Sequence, residues 1–99
     1  MAVSQELVLE LQVVARRFVA VVGNIMGLKS RIRVLLQDPD AGVGAVETLE
    51  ARLLQEERLL AQIVEDLRVL YTQVPDPEQY LGITEARMTR AYLQRSSRF

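Results

Sequence analysis

The sequence predicts an all-α protein: a long, coiled-coil-like antiparallel helical hairpin, followed by a short C-terminal helix, that assembles into a helical bundle. Two apolar runs predict the hairpin, because each repeats with alternating spacings of four and three, the period that keeps two supercoiled helices facing each other. The runs mirror each other about one turn, so that the residue numbers of each facing pair add up to 81. The first run is Leu7, Leu11, Val14, Phe18, Val21, Ile25, Leu28, Ile32 and Leu35, and the second is Val46, Leu49, Leu53, Glu56, Leu60, Ile63, Leu67, Leu70 and Val74.

The distribution of charge supports this pairing. Residues 1–37 carry a balance of +3, residues 38–78 one of −7 and residues 79–99 one of +3, for a net charge of −1. A basic first helix beside an acidic second helix is electrostatically complementary. The same register brings Arg31 close to Arg52, which is a like-charge exception.

The first helix is predicted to run over residues 4–37. Ser4 is a favourable N-cap residue, and Asp38-Pro39-Asp40 ends the helix because proline cannot continue it. A turn over 38–44 follows. The alternation of residue types over 6–13 allows a β-strand instead, but the helical spacing explains more positions and is the prediction we adopt.

The second helix is predicted over 45–74, and a linker over 75–83 follows it. Asp76-Pro77-Glu78 indicates a short helical turn within this linker, with a cap, a proline at the first position and an acid in the first turn. Thr84 is predicted to cap a last helix over 84–95. All these elements belong to a single domain spanning residues 1–99, since a chain of 99 residues is of one-domain size.

Composition argues against catalysis. The chain has no Cys and no His, so that it lacks thiolate nucleophiles, the commonest metal ligand and the side chain that titrates near neutral pH. Acidic neighbours such as Glu56 and Glu57 point to different faces of a helix and are typical of solvated surface. We therefore expect no catalytic residue, no cofactor, no metal site and no enzymatic activity.

The first helix carries more apolar surface than one seam can bury. Between Val13 and Val22 it is apolar on all sides except for Arg16 and Arg17, which is typical of a helix buried on several sides. The second helix has a polar back. Either the C-terminal segment or a second chain, identical or not, must cover the first helix, and we favour a second chain because the segment is short against a helix of about 45 Å.

Small residues on the first helix indicate where the second chain docks. Ala20, Gly23, Gly27 and Ser30 recur at helical spacing, and glycines at this spacing let helix backbones approach closely. Each glycine costs about 1 kcal/mol relative to alanine within a helix. We therefore expect the two helical glycines to have a structural role that offsets this cost. We favour a close helix crossing, and the alternative is a bend or break at Gly23-Asn24. The predicted partner interface is Val13, Val19, Ala20, Gly23, Met26, Gly27 and Ser30.

Glu56 is the only polar member of the two seams and faces Ile25 near these glycines. A buried polar seam residue can fix register or partner choice at a cost in stability. The alternative, slightly favoured here, is that Glu56 reaches solvent beside the glycines.

Residues 81–93 resemble the turn and second helix of a helix-turn-helix. Gly82 would lie in the turn, and Arg87 and Arg90 would contact DNA. Prolines before the turn and the slightly acidic net charge depart from that pattern.

The predicted function is that of a non-enzymatic interaction or assembly subunit acting through helix–helix packing, and a small DNA-binding protein is the alternative. Its expected partner is a second copy, another helical protein or both, rather than nucleic acid or a small molecule. We expect a soluble intracellular protein, in the cytoplasm. The apolar-rich window of eleven residues over 18–28 is shorter than the roughly 20 that a membrane span needs.

Overall fold

The structure, a computed structural model, describes residues 3–96 and is all-helical over them. Two long helices pack closely against each other, which confirms the predicted helical hairpin. The alternative of a strand near the N-terminus is wrong, because residues 6–13 lie within the first helix. The elements are α1 (Gln5–Gln37), α2 (Val43–Gln73), a 3-10 helix (Pro77–Tyr80) and α3 (Ile83–Ser96).

The two apolar runs, which form the predicted seam between the long helices, are residues that the fold buries. Every one of the seam residues on both helices is buried or half-buried, and none is exposed. Arg31 and Arg52 line one cleft, as the mirrored register requires. The apolar period of 3.5 residues is therefore the feature of the sequence that positions α1 against α2.

The turn between the long helices is shorter than predicted. The main-chain N–H of Asp40 donates to the Asp38 carboxylate at 2.9 Å, and that of Ala41 donates to the Asp38 carbonyl oxygen at 3.2 Å. These bonds reverse the chain direction, so α2 begins at Val43 with Gly42 as its N-cap. Gly44 lies inside the first turn of α2 and not in the turn between the two helices.

Two predicted hydroxyl caps do not form. Ser4 holds the N-cap position of α1, but its side chain makes no capping hydrogen bond; its carbonyl oxygen accepts the N–H of Val8 at 3.2 Å. Thr84 lies inside the first turn of α3, since this helix begins at Ile83, and the N–H of Ala86 donates to the Gly82 carbonyl oxygen at 2.9 Å. Backbone geometry rather than a side-chain cap therefore starts both helices.

The short turn after α2 is a 3-10 helix that follows a left-handed residue. Asp76 has φ 53° and ψ 54°, a conformation that aspartate tolerates better than most residues. Pro77 comes next at the first helical position, as predicted. This reversal turns the chain back towards the hairpin.

α3 packs on one flank of the hairpin. The rings of Tyr92 and Phe18 meet edge to face with centroids 5.0 Å apart, and the Gln12 side-chain amide donates to the Tyr80 carbonyl oxygen at 3.0 Å. Ala15 of α1, on this flank, is completely buried. The C-terminal segment thus covers part of α1, as the first of the two predicted possibilities requires.

The main hydrophobic core lies at the three-helix end of the molecule. It runs from Leu11 to Ile25 on α1 and from Ile63 to Val74 on α2, whereas the turn end consists of the two long helices alone. The protein is therefore elongated, with extents of 62 × 27 × 20 Å.

Thr89 of α3 is completely buried, and its hydroxyl lies close to the Tyr71 hydroxyl without a hydrogen bond of good geometry to any of the described residues. Leaving a buried hydroxyl unpaired costs about 1–3 kcal/mol. We expect Thr89→Val, which keeps the side-chain shape, to raise the free energy of unfolding by about 1 kcal/mol. Urea denaturation followed by circular dichroism measures this change, with the exposed Thr72→Val as the control. A loss of stability would show that the Thr89 hydroxyl is hydrogen-bonded.

Candidate partner interface

The residues predicted to form the partner interface lie on one side of α1, and Gly23 and Gly27 share a cleft at its edge with Arg52 and Glu56 of α2. All seven are exposed except Val19, which is half-buried. Val13 is 51% and Met26 is 67% exposed, although both are large apolar side chains. The single chain therefore leaves six of the seven predicted interface residues exposed, whereas Val19 packs against the core.

The uncovered surface extends further than the sequence analysis placed it. Leu9 is 58% and Val34 is 62% exposed, and both continue the same heptad positions as the predicted residues. Their heptad positions were the signal that could have identified them. We call this surface the outer face of α1, consisting of Leu9, Val13, Arg16, Ala20, Gly23, Gly27, Ser30 and Val34.

The back of α2 has the opposite character. Its residues are mostly charged or polar and exposed, whereas only one residue of the outer face of α1 is charged. An apolar face on one helix and a solvated face on its neighbour indicate that the two sides of the hairpin meet different surroundings. The exposed polar residues on this back include Glu47, Thr48, Gln55, Arg58, Gln62, Glu65 and Thr72.

The two glycines of the outer face have open space where a side chain would begin. A Cβ atom added at Gly23 or at Gly27 would have no atom within 4 Å beyond the adjoining backbone. α1 runs through both positions as one continuous helix, so a break at Gly23-Asn24 is wrong, and a bend there stays a prediction. Packing within the described chain therefore gives no reason for two residues that each cost about 1 kcal/mol in a helix.

Glu56 lies in a cleft of about 230 Å³ beside these glycines, lined also by Arg31 and Arg52. It is half-buried, and its Oε2 is buried without a hydrogen-bond partner among the described residues. Glu56 thus lies beside the glycines, partly exposed and partly buried, and whether it fixes the register or the partner stays a prediction. A carboxylate oxygen in this state gains from any hydrogen-bond donor that enters the cleft.

The two arginines suggested for DNA contact have different surroundings. Arg90 donates two hydrogen bonds to Glu78, one of them from Nε at 3.0 Å; this pairing lowers the pKa of the Glu78 carboxyl and raises the pKa of Arg90. Arg87 is exposed. The segment before Gly82 is a 3-10 helix of four residues, which is too short to serve as the first helix of a helix-turn-helix. No observation on this segment favours DNA binding.

The half-buried Tyr71 lies near the same ion pair. Burial raises the pKa of the Tyr71 hydroxyl, and the negative charge of Glu78 raises it further, whereas Thr89 and Arg90 lower it. Within residues 3–96, no group of three or more acidic, His or Cys side chains is placed to hold a metal ion. The Glu78–Arg90 ion pair joins α3 to the 3-10 helix.

α1 is long and apolar enough, by length and composition alone, to cross a membrane. Within the protein, 44% of its most apolar 18-residue stretch is buried. The core helix of a soluble protein and a signal sequence near an N-terminus meet the same criteria. The length of the window over 18–28 therefore does not decide the matter, and the absence of a membrane span stays a prediction.

Comparisons with known proteins do not assign this chain to a family or to a function. No protein-family model matches this chain, and neither the curated proteins nor the solved structures gave a match. The outer face and its surroundings are therefore the basis for a functional proposal.

Proposed function

We propose that this protein is a non-enzymatic assembly subunit that acts by packing the outer face of α1 against a helix of another polypeptide. The observation that carries the proposal is the continuous uncovered face of α1, which runs from Leu9 to Val34 and is about 38 Å long at a rise of 1.5 Å per residue. Contiguous exposed apolar surface of this kind marks interaction sites in soluble proteins.

The remaining sides of α1 support this proposal. α2 covers the seam side, and α3 covers the flank that contains Ala15 and Val22. The outer face is the remaining side of α1. Neighbouring elements border it only at its edges, where Gly23 and Gly27 share a cleft with Arg52 and Glu56 of α2 and Leu9 shares a cleft with Tyr80. A helix that is apolar on nearly all sides is stable in water only when every side is covered, and a partner helix would complete the cover.

The proposal includes a soluble, intracellular location. α2 packs along α1 and exposes charged residues from Glu47 to Glu65 on its back. Transferring such residues into hydrocarbon is costly, so a helical partner in water suits the hairpin better than lipid does.

We expect Gly23→Leu and Gly27→Leu to abolish assembly, because a leucine side chain keeps a partner helix away from the backbone. We expect both variants to keep the fold, because a Cβ atom added at either position meets no atom within 4 Å beyond the adjoining backbone. The measurement is the native size of the tagged chain, expressed at its natural level, in extracts of its own cells. The unsubstituted chain should elute well above its mass of 11.2 kDa, and the leucine variants at that mass.

Gln62→Ala on the exposed back of α2 is the matched control and should keep the large size. Circular dichroism of each purified variant establishes that the helices are intact. A monomeric unsubstituted chain, or leucine variants that remain in the large species, would contradict the proposal.

A further inference from the structure

The outer face of α1 is complementary to itself, which identifies a partner for the proposed function on which this inference rests. We propose that two copies of the chain pair through their outer faces, with the two α1 helices antiparallel about a twofold axis at the level of Val21 and Val22. Facing residues then have numbers that add up to 43. Such a pairing is isologous, because both copies use the same surface.

Residue size is matched at the centre of this register. Ala20 faces Gly23 of the second copy, so that the smallest side chains meet where the helices cross. Arg16, the one charged residue of the outer face, faces Gly27 of the second copy, where a Cβ atom would find open space. The absent side chain at Gly27 leaves room for the arginine stem. The register thus gives each glycine a packing role that the single chain does not supply.

Apolar residues meet towards both ends of the same register. Leu9 faces Val34 of the second copy, and these two side chains are 58% and 62% exposed in the single chain. Val13, which is 51% exposed, faces Ser30. The twofold axis repeats each contact, so the exposed apolar side chains of the outer face are covered at both ends.

Side chains that flank the outer face are also complementary. In the antiparallel register Glu10 lies beside Arg31 of the second copy, and Val19 lies beside Met26. Glu10 and Arg31 are both exposed and form no ion pair within the described residues. Arg31 shares its cleft with Arg52, so the carboxylate of the second copy's Glu10 would offset a like-charge approach.

The opposite orientation is unfavourable. Two parallel α1 helices would set each outer-face residue against its own copy, which brings Arg16 against Arg16 in the middle of the contact. Like charges that face each other in an interface cost several kilocalories per mole. α3 packs on the flank of α1 that contains Ala15. The 3-10 helix reaches the edge of the outer face at Leu9, which shares a cleft with Tyr80 but remains 58% exposed.

The chain has no cysteine, so engineered cysteines test this register directly. Full-length Leu9→Cys and Val34→Cys chains are purified separately, mixed, equilibrated and oxidised. We expect the mixture to form a disulfide-linked dimer of twice 11.2 kDa, roughly tenfold or more faster than either chain alone, because the bound geometry raises the effective thiol concentration. A mixture of Leu9→Cys with Gln62→Cys, on the back of α2, is the control and should link only slowly.

Two results would overturn the proposal. One is faster linking of Leu9→Cys with itself than with Val34→Cys, which requires parallel helices. The other is a monomeric mass for the unsubstituted chain by light scattering over a dilution series up to high concentration. If that monomer belongs to a larger, Gly23-dependent species in cell extracts, the partner is a different protein and the proposed function stands. If the chain is monomeric in extracts as well, both proposals are wrong.

Discussion

Replacement of Phe18 by alanine is expected to destabilise the protein by about 3–5 kcal/mol, the usual cost of removing a buried aromatic side chain. Phe18 is completely buried and lies where all three helices meet. It fills the seam against α2, and its ring also meets the ring of Tyr92 edge to face at 5.0 Å. The substitution therefore leaves a cavity in the main core and removes the aromatic contact that holds α3.

Urea denaturation followed by circular dichroism measures this loss, and Leu54→Ala is the matched control. Leu54 is 51% exposed on the outside of α2, so its truncation should change the free energy of unfolding by about 0.5 kcal/mol or less. Adding Tyr92→Ala completes a double-mutant cycle, for which we expect a coupling of about 0.5–1.5 kcal/mol. A Phe18→Ala loss below that range, with no coupling, would show that α3 does not dock on α1.

The hairpin could be predicted from the sequence because a long helical seam repeats one simple pattern. Eighteen seam positions on two helices share the same period and a common mirror point, and random substitution does not produce such a register. Helix ends depend on single residues instead. Ser4 and Thr84 are good capping residues by type, but at both sites the backbone bonds that start the helix leave the hydroxyl unused.

The docking of α3 was harder to predict, because it depends on a few contacts between residues far apart in sequence. The Phe18–Tyr92 and Gln12–Tyr80 contacts leave no periodic trace. The left-handed conformation of Asp76, which turns the chain back, also has no counterpart in composition. The sequence therefore allowed the C-terminal helix to dock either on the hairpin or on a partner. In the folded chain it docks on the hairpin.

The outer face was predicted less completely than the hairpin but more completely than the docking of α3. The heptad pattern identified its central residues, because small and apolar side chains recur there at helical spacing. Leu9 and Val34 were not predicted as interface residues, although they occupy the same heptad positions. The small residues on which the prediction depended lie only in the middle of the helix. The exposure of these residues in the folded chain extends the face to nearly the whole of α1.

Replacement of both outer-face glycines by alanine is expected to stabilise the isolated chain. Gly23→Ala and Gly27→Ala each raise intrinsic helix stability by about 1 kcal/mol, so the double variant should gain about 2 kcal/mol. Both positions lie inside a continuous helix with open space around the added methyl group, and strain does not reduce the gain. Urea denaturation at chain concentrations low enough to keep the protein monomeric measures this gain.

Gly42→Ala is the matched control for this pair of substitutions. Gly42 also faces open space, but it occupies the N-cap of α2, where alanine is a poorer residue than glycine; we expect no gain there. A double variant that is more stable but assembles less well would show that Gly23 and Gly27 are kept for close approach of a partner helix at the expense of the monomer. A double variant without the gain would place their reason inside the chain, as a strained or curved α1, and would remove the main support for the outer face as an interface.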